Sequence, residues 1–257
     1  MAGDLGAQAT LRFLSLGLAV TVRVTLVSFA IALVLGLVAG LARTAPNRIA
    51  RQLATLYVEV VRGVPMLVLL LWVGFALAPL AVAFLRDAVL VPLAALAGDG
   101  GLLGPIGARA AAAAAACRRP SACLPYEARG IAGLAIGYGA YIAEVVRAGI
   151  ESVPRGQLEA AASLGMTRRQ GMRFVVLPQA LTVALPPLGN DLVALLKDSA
   201  LVSALAVPEL TYQARLQVSR TFQALEVWNL VALVYLVLTL GLSLAVRAVE
   251  RRVNRGR

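Results

Sequence analysis

A chain of 257 residues that is 60% hydrophobic and 14% charged, with a mean hydropathy of +0.83, has too little polar surface for a soluble domain of this length. Its 24 Lys and Arg against 13 Asp and Glu give a net charge of +11, and in a membrane protein such an excess belongs in cytoplasmic loops rather than on nucleic acid. Histidine is absent and Cys117 and Cys123 are the only cysteines, which excludes a typical zinc site and a multi-bridge disulfide framework.

About 20 apolar residues carry a helix across a bilayer, and five segments qualify: roughly 16–41, 67–85, 131–150, 174–196 and 227–246. Backbone groups in lipid must be satisfied within the chain, so each is expected to be helical. The N-terminal MAGDLGAQAT has no basic stretch ahead of a short apolar core, so no cleavable signal peptide is expected. Arginine sets the orientation. One group of connections carries Arg43, Arg48, Arg51 and Arg62, then Arg147, Arg155, Arg168, Arg169 and Arg173, then Arg247, Arg251, Arg252, Arg255 and Arg257. The positive-inside rule places these in the cytoplasm, with the N-terminus outside and the C-terminus inside.

Between the second and third spans, residues 86–129 combine AVLVPLAALA, a Gly-rich GDGGLLGPIG and the alanine run 110–116. Neither apolar piece is long enough to cross, so the region reads as an external loop with some helix. Cys117 and Cys123 would face an oxidising compartment, where they either pair or stay as two thiols of a variable loop.

After the third span comes a polar elbow, EAAASLGMTRRQGMRFVVLPQA at 159–180. Ser152 and Pro154 are helix-start signals, and 157–164 are good helix formers with Ala160, Ala161 and Ala162 leaving a thin face. Gly165 suits a left-handed helix stop. Thr167 and Gln170 form the T-x-x-Q capping box of a second helix, which runs into the fourth span. A DNA-binding helix-turn-helix would need a third helix and linkers that are missing here. A docking elbow for a cytoplasmic partner fits better: small residues permit close approach, and the attached membrane helix transmits displacement.

Two further groups stand out. Glu144 and Arg147, and likewise Glu59 and Arg62, are three apart and can pair on a helix, either to lower the cost of charge near lipid or to serve a gate. Asn190, Asp191, Lys197 and Asp198 lie at membrane depth after a Pro-Pro-Leu-Gly stretch that reads as a helix break. They either line a translocation path or anchor a helix end at a subunit interface. No P-loop and no nucleophile-plus-base constellation is present.

Glu159-Ala160-Ala161, Gly165, and Leu177-Pro178, with Val175 where the pattern has isoleucine, resemble the EAA loop of binding-protein-dependent ABC importers. YVEVVRGVPMLVLLLW, AYIAEVVRAGIESVPRGQLEAAASLGM and LPPLGNDLVALLKDSALVSALAVPEL narrow the resemblance to the polar amino acid permeases, the histidine/glutamine/arginine/glutamate group. The resemblance runs over residues 17–253 except about 86–126. It implies an all-α integral membrane permease of the type I ABC importer kind, residues 1–257 forming one domain of about five transmembrane helices. The cytoplasmic coupling loop would be 151–173, with Glu159, Ala160, Ala161, Gly165, Met166 and Arg168 meeting the ATPase. It implies no enzyme activity, no metal and no cofactor in this chain, ATP being bound by a partner. The implied partners are cytoplasmic ATPase subunits, a second permease in a homo- or heterodimer, an extracytoplasmic solute-binding protein, a polar amino acid and membrane lipid, in a bacterial inner membrane. The alternative is a channel or ion-driven carrier without ATPases, which would show inverted repeats or a charged pore helix.

Overall fold

The computed structural model describes residues 2–97, 104–118 and 123–254. Among these, five helical stretches are long and apolar enough to cross a membrane: Phe13–Thr44, Met66–Ala95, Tyr126–Glu151, Arg168–Leu205 and Ala224–Arg252. In chain order, α1 is Ala2–Thr44 and α2 is Arg48–Arg62. α3 is Met66–Trp72, α4 Ala78–Leu85 and α5 Val91–Ala97, joined into one rod by π-helical turns at Val73–Leu77 and Arg86–Leu90. α6 is Gly104–Ala116, α7 Tyr126–Glu151, α8 Arg155–Ser163 and α9 Arg168–Gln170. A further π turn at Gly171–Val176 leads into α10, Leu177–Asp198. A 3-10 stretch, Ser199–Leu205, precedes α11, Leu210–Thr221, and α12, Ala224–Asn254.

Two expectations are corrected. The second span does not stop at 85: the helix continues through Arg86 to Ala97, so the start of the expected loop is helical. Arg86 and Asp87 satisfy each other there, Nε to Oδ1 at 2.7 Å and Nη2 to Oδ2 at 2.9 Å, which lets charge sit on a continuing apolar rod. α6 then folds back against α5, and a Cys117–Cys123 disulfide ties its end to the approach of α7. The Gly-rich stretch 98–103 lies outside the described residues. The second correction concerns PPLGND. Pro186 and Pro187 lie inside an unbroken α10. Proline removes backbone donors, but a membrane interior offers the chain no alternative partners, so the helix persists.

α7 is the hub. Half of its most apolar window is buried, against 6% for α12. Its partner α1 runs in the same direction. Arg23 meets Glu127, Gly36 lies against Gly139 and Ile142, and Gly40 against Ala143 and Val146, so the offset between the helices is nearly constant. A Cβ on Gly36 would come within 2.4 Å of Ile142 Cγ2 and 3.0 Å of the Gly139 carbonyl. Gly36 and Gly40 are four apart and let the two backbones touch, which is how helices associate where lipid removes the hydrophobic drive. The core joins one layer from each inner span: Val24 of α1, Leu70 of α3, Leu134 and Ile142 of α7 and Leu195 of α10 are all essentially buried.

Candidate functional site

The polar features collect into three groups, beginning with the elbow. α8 ends in a Schellman motif: Gly165 adopts φ +79°, its N–H donates to the Ala162 carbonyl at 2.9 Å, and the Met166 N–H donates to the Ala161 carbonyl at 3.1 Å. The next residues form the expected capping box. The Thr167 N–H donates to Gln170 Oε1 at 2.8 Å, and the Gln170 N–H donates to Thr167 Oγ1 at 3.3 Å. Glu159, Ala160, Gly165 and Arg168 are exposed and Met166 is half-buried. Ala161 behaves differently: it is buried, facing Gly171, and so seats the elbow rather than offering a surface. Leu158 and Met172 pack into a cluster with Ile150, Val176 and Ala180, which fixes the elbow to α7 and α10. Leu164, singled out by no motif, is 82% exposed at the helix end.

The second group is a layer of charge at the end of the spans nearest the elbow. Glu144 accepts from Arg43 and from Arg147, while Arg147 also donates to Glu151. Arg62 lies 3.9 Å from Glu144 and stacks over the Tyr141 ring at 5.3 Å. The expected Glu144–Arg147 pair is thus present, whereas Arg62 turns from Glu59 to Glu144 and Tyr141, because α2 crosses α7 and offers it a carboxylate and an aromatic face. An open pocket of about 440 Å³ lies among Arg43, Glu59, Arg62, Tyr141 and Glu144. Tyr57 braces it, its hydroxyl donating to the Ile136 carbonyl at 2.7 Å; burial pushes its pKa up to about 12, so it stays a donor. Sequence reading could not connect Arg43 to Glu144, because 101 residues separate them.

The third group is on α10. Asp191 and Asp198 are two turns apart on one half-buried face, and Asn190 and Lys197 lie on the adjacent exposed face. Tyr138 of α7, itself buried, donates its hydroxyl to Asp198 Oδ2 at 2.8 Å. Asp191 Oδ2 is buried without a hydrogen-bond partner among the described residues. The Tyr138 and Tyr141 rings are 6.0 Å apart. A line therefore runs from the charge layer through Arg62, Tyr141 and Tyr138 to Asp198. It does not include Asn190 or Lys197.

Residues 32–255 match the family model of the binding-protein-dependent transport system inner membrane component. The glutamine transport system permease protein GlnP of Escherichia coli is 35% identical over 238 residues, covering 93% of this chain and 91% of the relative. The L-cystine transport system permease protein TcyB of Bacillus subtilis is 33% identical over 253 residues, covering 98% and 91%. Among solved structures, an amino acid ABC transporter crystallised with histidines superimposes with a TM-score of 0.74 at 31% identity, covering 96% of this chain and 97% of that one.

Proposed function

Because the chain belongs to the binding-protein-dependent transport system inner membrane components, we propose that it carries a polar amino acid through a path beside α7 and α10 and takes its drive through the elbow of α8 and α9. It is a multi-pass inner-membrane permease component of the amino acid ABC importer family, and not itself an enzyme. ATPase and binding-protein partners follow from that membership. ATP is bound by the separate ATPase subunit, and two permease chains, identical or related, enclose the path.

The N-terminus lies outside and the C-terminus in the cytoplasm. Arginine distribution supports this, and so does the Cys117–Cys123 disulfide, since such bonds persist in oxidising compartments. The ATPase meets Glu159, Ala160, Leu164, Gly165, Met166 and Arg168, with Ala161 holding the elbow to the membrane helix behind it. The observation that carries this reading is continuity: from Arg168 to Leu205 the chain is helical, so a push on the elbow is delivered along the helix that carries Asp191 and Asp198. Such a push changes the access of the path only through contacts that differ between two states. The Tyr138–Asp198 bond, between α7 and α10, is one contact placed to do so.

Leu164→Glu tests the docking half. The side chain is almost fully exposed, so folding and insertion should be kept while co-purification of the ATPase subunit is lost; retention of the ATPase would count against the elbow. The path half is tested with Asp191→Asn plus Asp198→Asn in proteoliposomes containing the whole importer. Normal uptake by that double variant would remove those two residues from the path.

A further inference from the structure

Besides lending Tyr57 and Arg62 to the pocket at Glu144, α2 is built with three distinct faces. Its 15 residues reach about 22 Å, short of a bilayer core of about 30 Å, and six of them are Arg, Gln, Thr or Glu. Ala54 and Val58 are buried against α1 and α7, with Tyr57 and Val61 beside them. Ile49, Leu53, Leu56 and Val60 occupy a separate arc of about 60° on the helix. They are 69%, 63%, 59% and 52% exposed, a continuous apolar stripe that no described residue covers. The third face holds Arg48, Arg51, Gln52, Thr55, Glu59 and Arg62.

The placement of the helix says what the stripe meets. α2 starts four residues after α1 ends, held by Asn47, whose side chain accepts from the Ile49 and Ala50 N–H groups. At its far end Arg62 approaches Glu144, the carboxylate that also receives Arg43 from the end of α1. The helix therefore leaves one layer of charge and returns to it, lying along the membrane boundary instead of crossing. Arg48 and Arg51 form no ion pair among the described residues, so both charges remain open to an anion.

We propose that α2 is an interfacial helix that rests Ile49, Leu53, Leu56 and Val60 on the acyl chains of the cytoplasmic leaflet and sets Arg48 and Arg51 among anionic phospholipid headgroups. A narrow apolar stripe flanked by arginines on a short, otherwise polar helix is the pattern of such surface helices, and the cytoplasmic leaflet supplies the negative charge. Lipid contact holds α2 down, and through Arg62 it sets the mouth of the pocket at Glu144 and Tyr141. Anionic lipid thereby acts on the permease at this pocket and not through the exposed face of the elbow. The inference rests on the membrane placement of the spans and is independent of the solute carried.

Spin labels test it on the full chain in nanodiscs. The native cysteines are joined, so Leu53→Cys or Thr55→Cys adds the one free thiol. With phosphatidylglycerol present, the label at 53 should be accessible to oxygen and shielded from an aqueous nickel complex, and the label at 55 the reverse. Replacing phosphatidylglycerol by phosphatidylcholine should make the label at 53 shallower, and Arg48→Gln with Arg51→Gln should abolish that shift. Equal nickel access at 53 and 55 would overturn the proposal. So would dipolar broadening between labels at 53, which would make the stripe a contact between two copies of the chain. Loss of transport in the elbow variants would leave these readings unchanged, so the two ideas fail separately.

Discussion

Gly165 separates a backbone requirement from a surface requirement at the elbow. A Cβ at this position meets nothing within 4 Å, so a larger side chain is not refused for lack of room. The obstacle is φ of +79°, which an L-residue enters at a cost of about 1–2 kcal/mol, with asparagine the usual exception. That cost loosens the Schellman motif by roughly five- to thirtyfold. Hydrogen exchange reads it directly, because the Met166 N–H is bonded to the Ala161 carbonyl and the Gly165 N–H to the Ala162 carbonyl. In Gly165→Ala the amides at 165 and 166 should exchange faster by that factor, and in Gly165→Asn by much less. ATPase affinity, titrated on the same purified variants, should fall in the same order. If asparagine weakens the ATPase contact as much as alanine, or more, then the surface at 165 matters and the backbone argument is wrong.

Three other outcomes follow from the packing. Gly40→Leu places a Cβ 2.7 Å from Val146 Cβ and 2.8 Å from the Ala143 carbonyl, so α1 must back away from α7; overpacking of this kind costs about 1–3 kcal/mol, seen as a lower Tm, and an unchanged Tm would mean that the seam is not tight. Glu144→Gln leaves Arg43 and Arg62 without their carboxylate and Arg147 with Glu151 alone, a loss of about 1–3 kcal/mol that should shrink in high salt. The third concerns Glu209, which caps α11 by accepting from the Thr211 and Tyr212 N–H groups and from the Tyr235 hydroxyl. Burial holds its carboxyl above the ordinary carboxylate range despite those donors. The folded state thus binds this proton more tightly than the unfolded state does. Its contribution to stability is full below the ordinary carboxylate pKa and is lost as pH rises through the raised value. Glu209→Gln should flatten that part of the stability profile, and an unaltered slope would count against the assignment.

The sequence displayed what is local. Apolar runs marked the spans, because lipid demands about 20 such residues in a row. Gly165, Thr167 and Gln170 announced the elbow, because capping is decided within a few residues. What it concealed was convergence across distance. Arg43, Arg62 and Glu144 meet only once α1, α2 and α7 pack, and nothing in any one segment marks the meeting. Arg86 alone reads as the end of a span, but the adjacent Asp87 meets its charge and the helix goes on. Pro186 and Pro187 looked like a break because their cost was judged as in water, where freed carbonyls find other partners. Ala161 parts from its exposed neighbours because one residue along a helix turns a side chain by about 100°.

The seam between α1 and α7 is riveted at both ends. Arg23 holds Glu127 by two hydrogen bonds at one end, and Arg43 holds Glu144 at the other, with Gly36 and Gly40 wedged against α7 between them. A slip of one helical turn, about 5.4 Å, would unfasten both rivets together and drive side chains into backbone. The two helices therefore travel as one plank. Any rocking that opens the molecule first to one side and then to the other must be taken up at its joints. One joint is the Gly63–Pro65 corner between α2 and α3. Another is the left-handed turn at Ala206, where α10 and its 3-10 extension give way to α11.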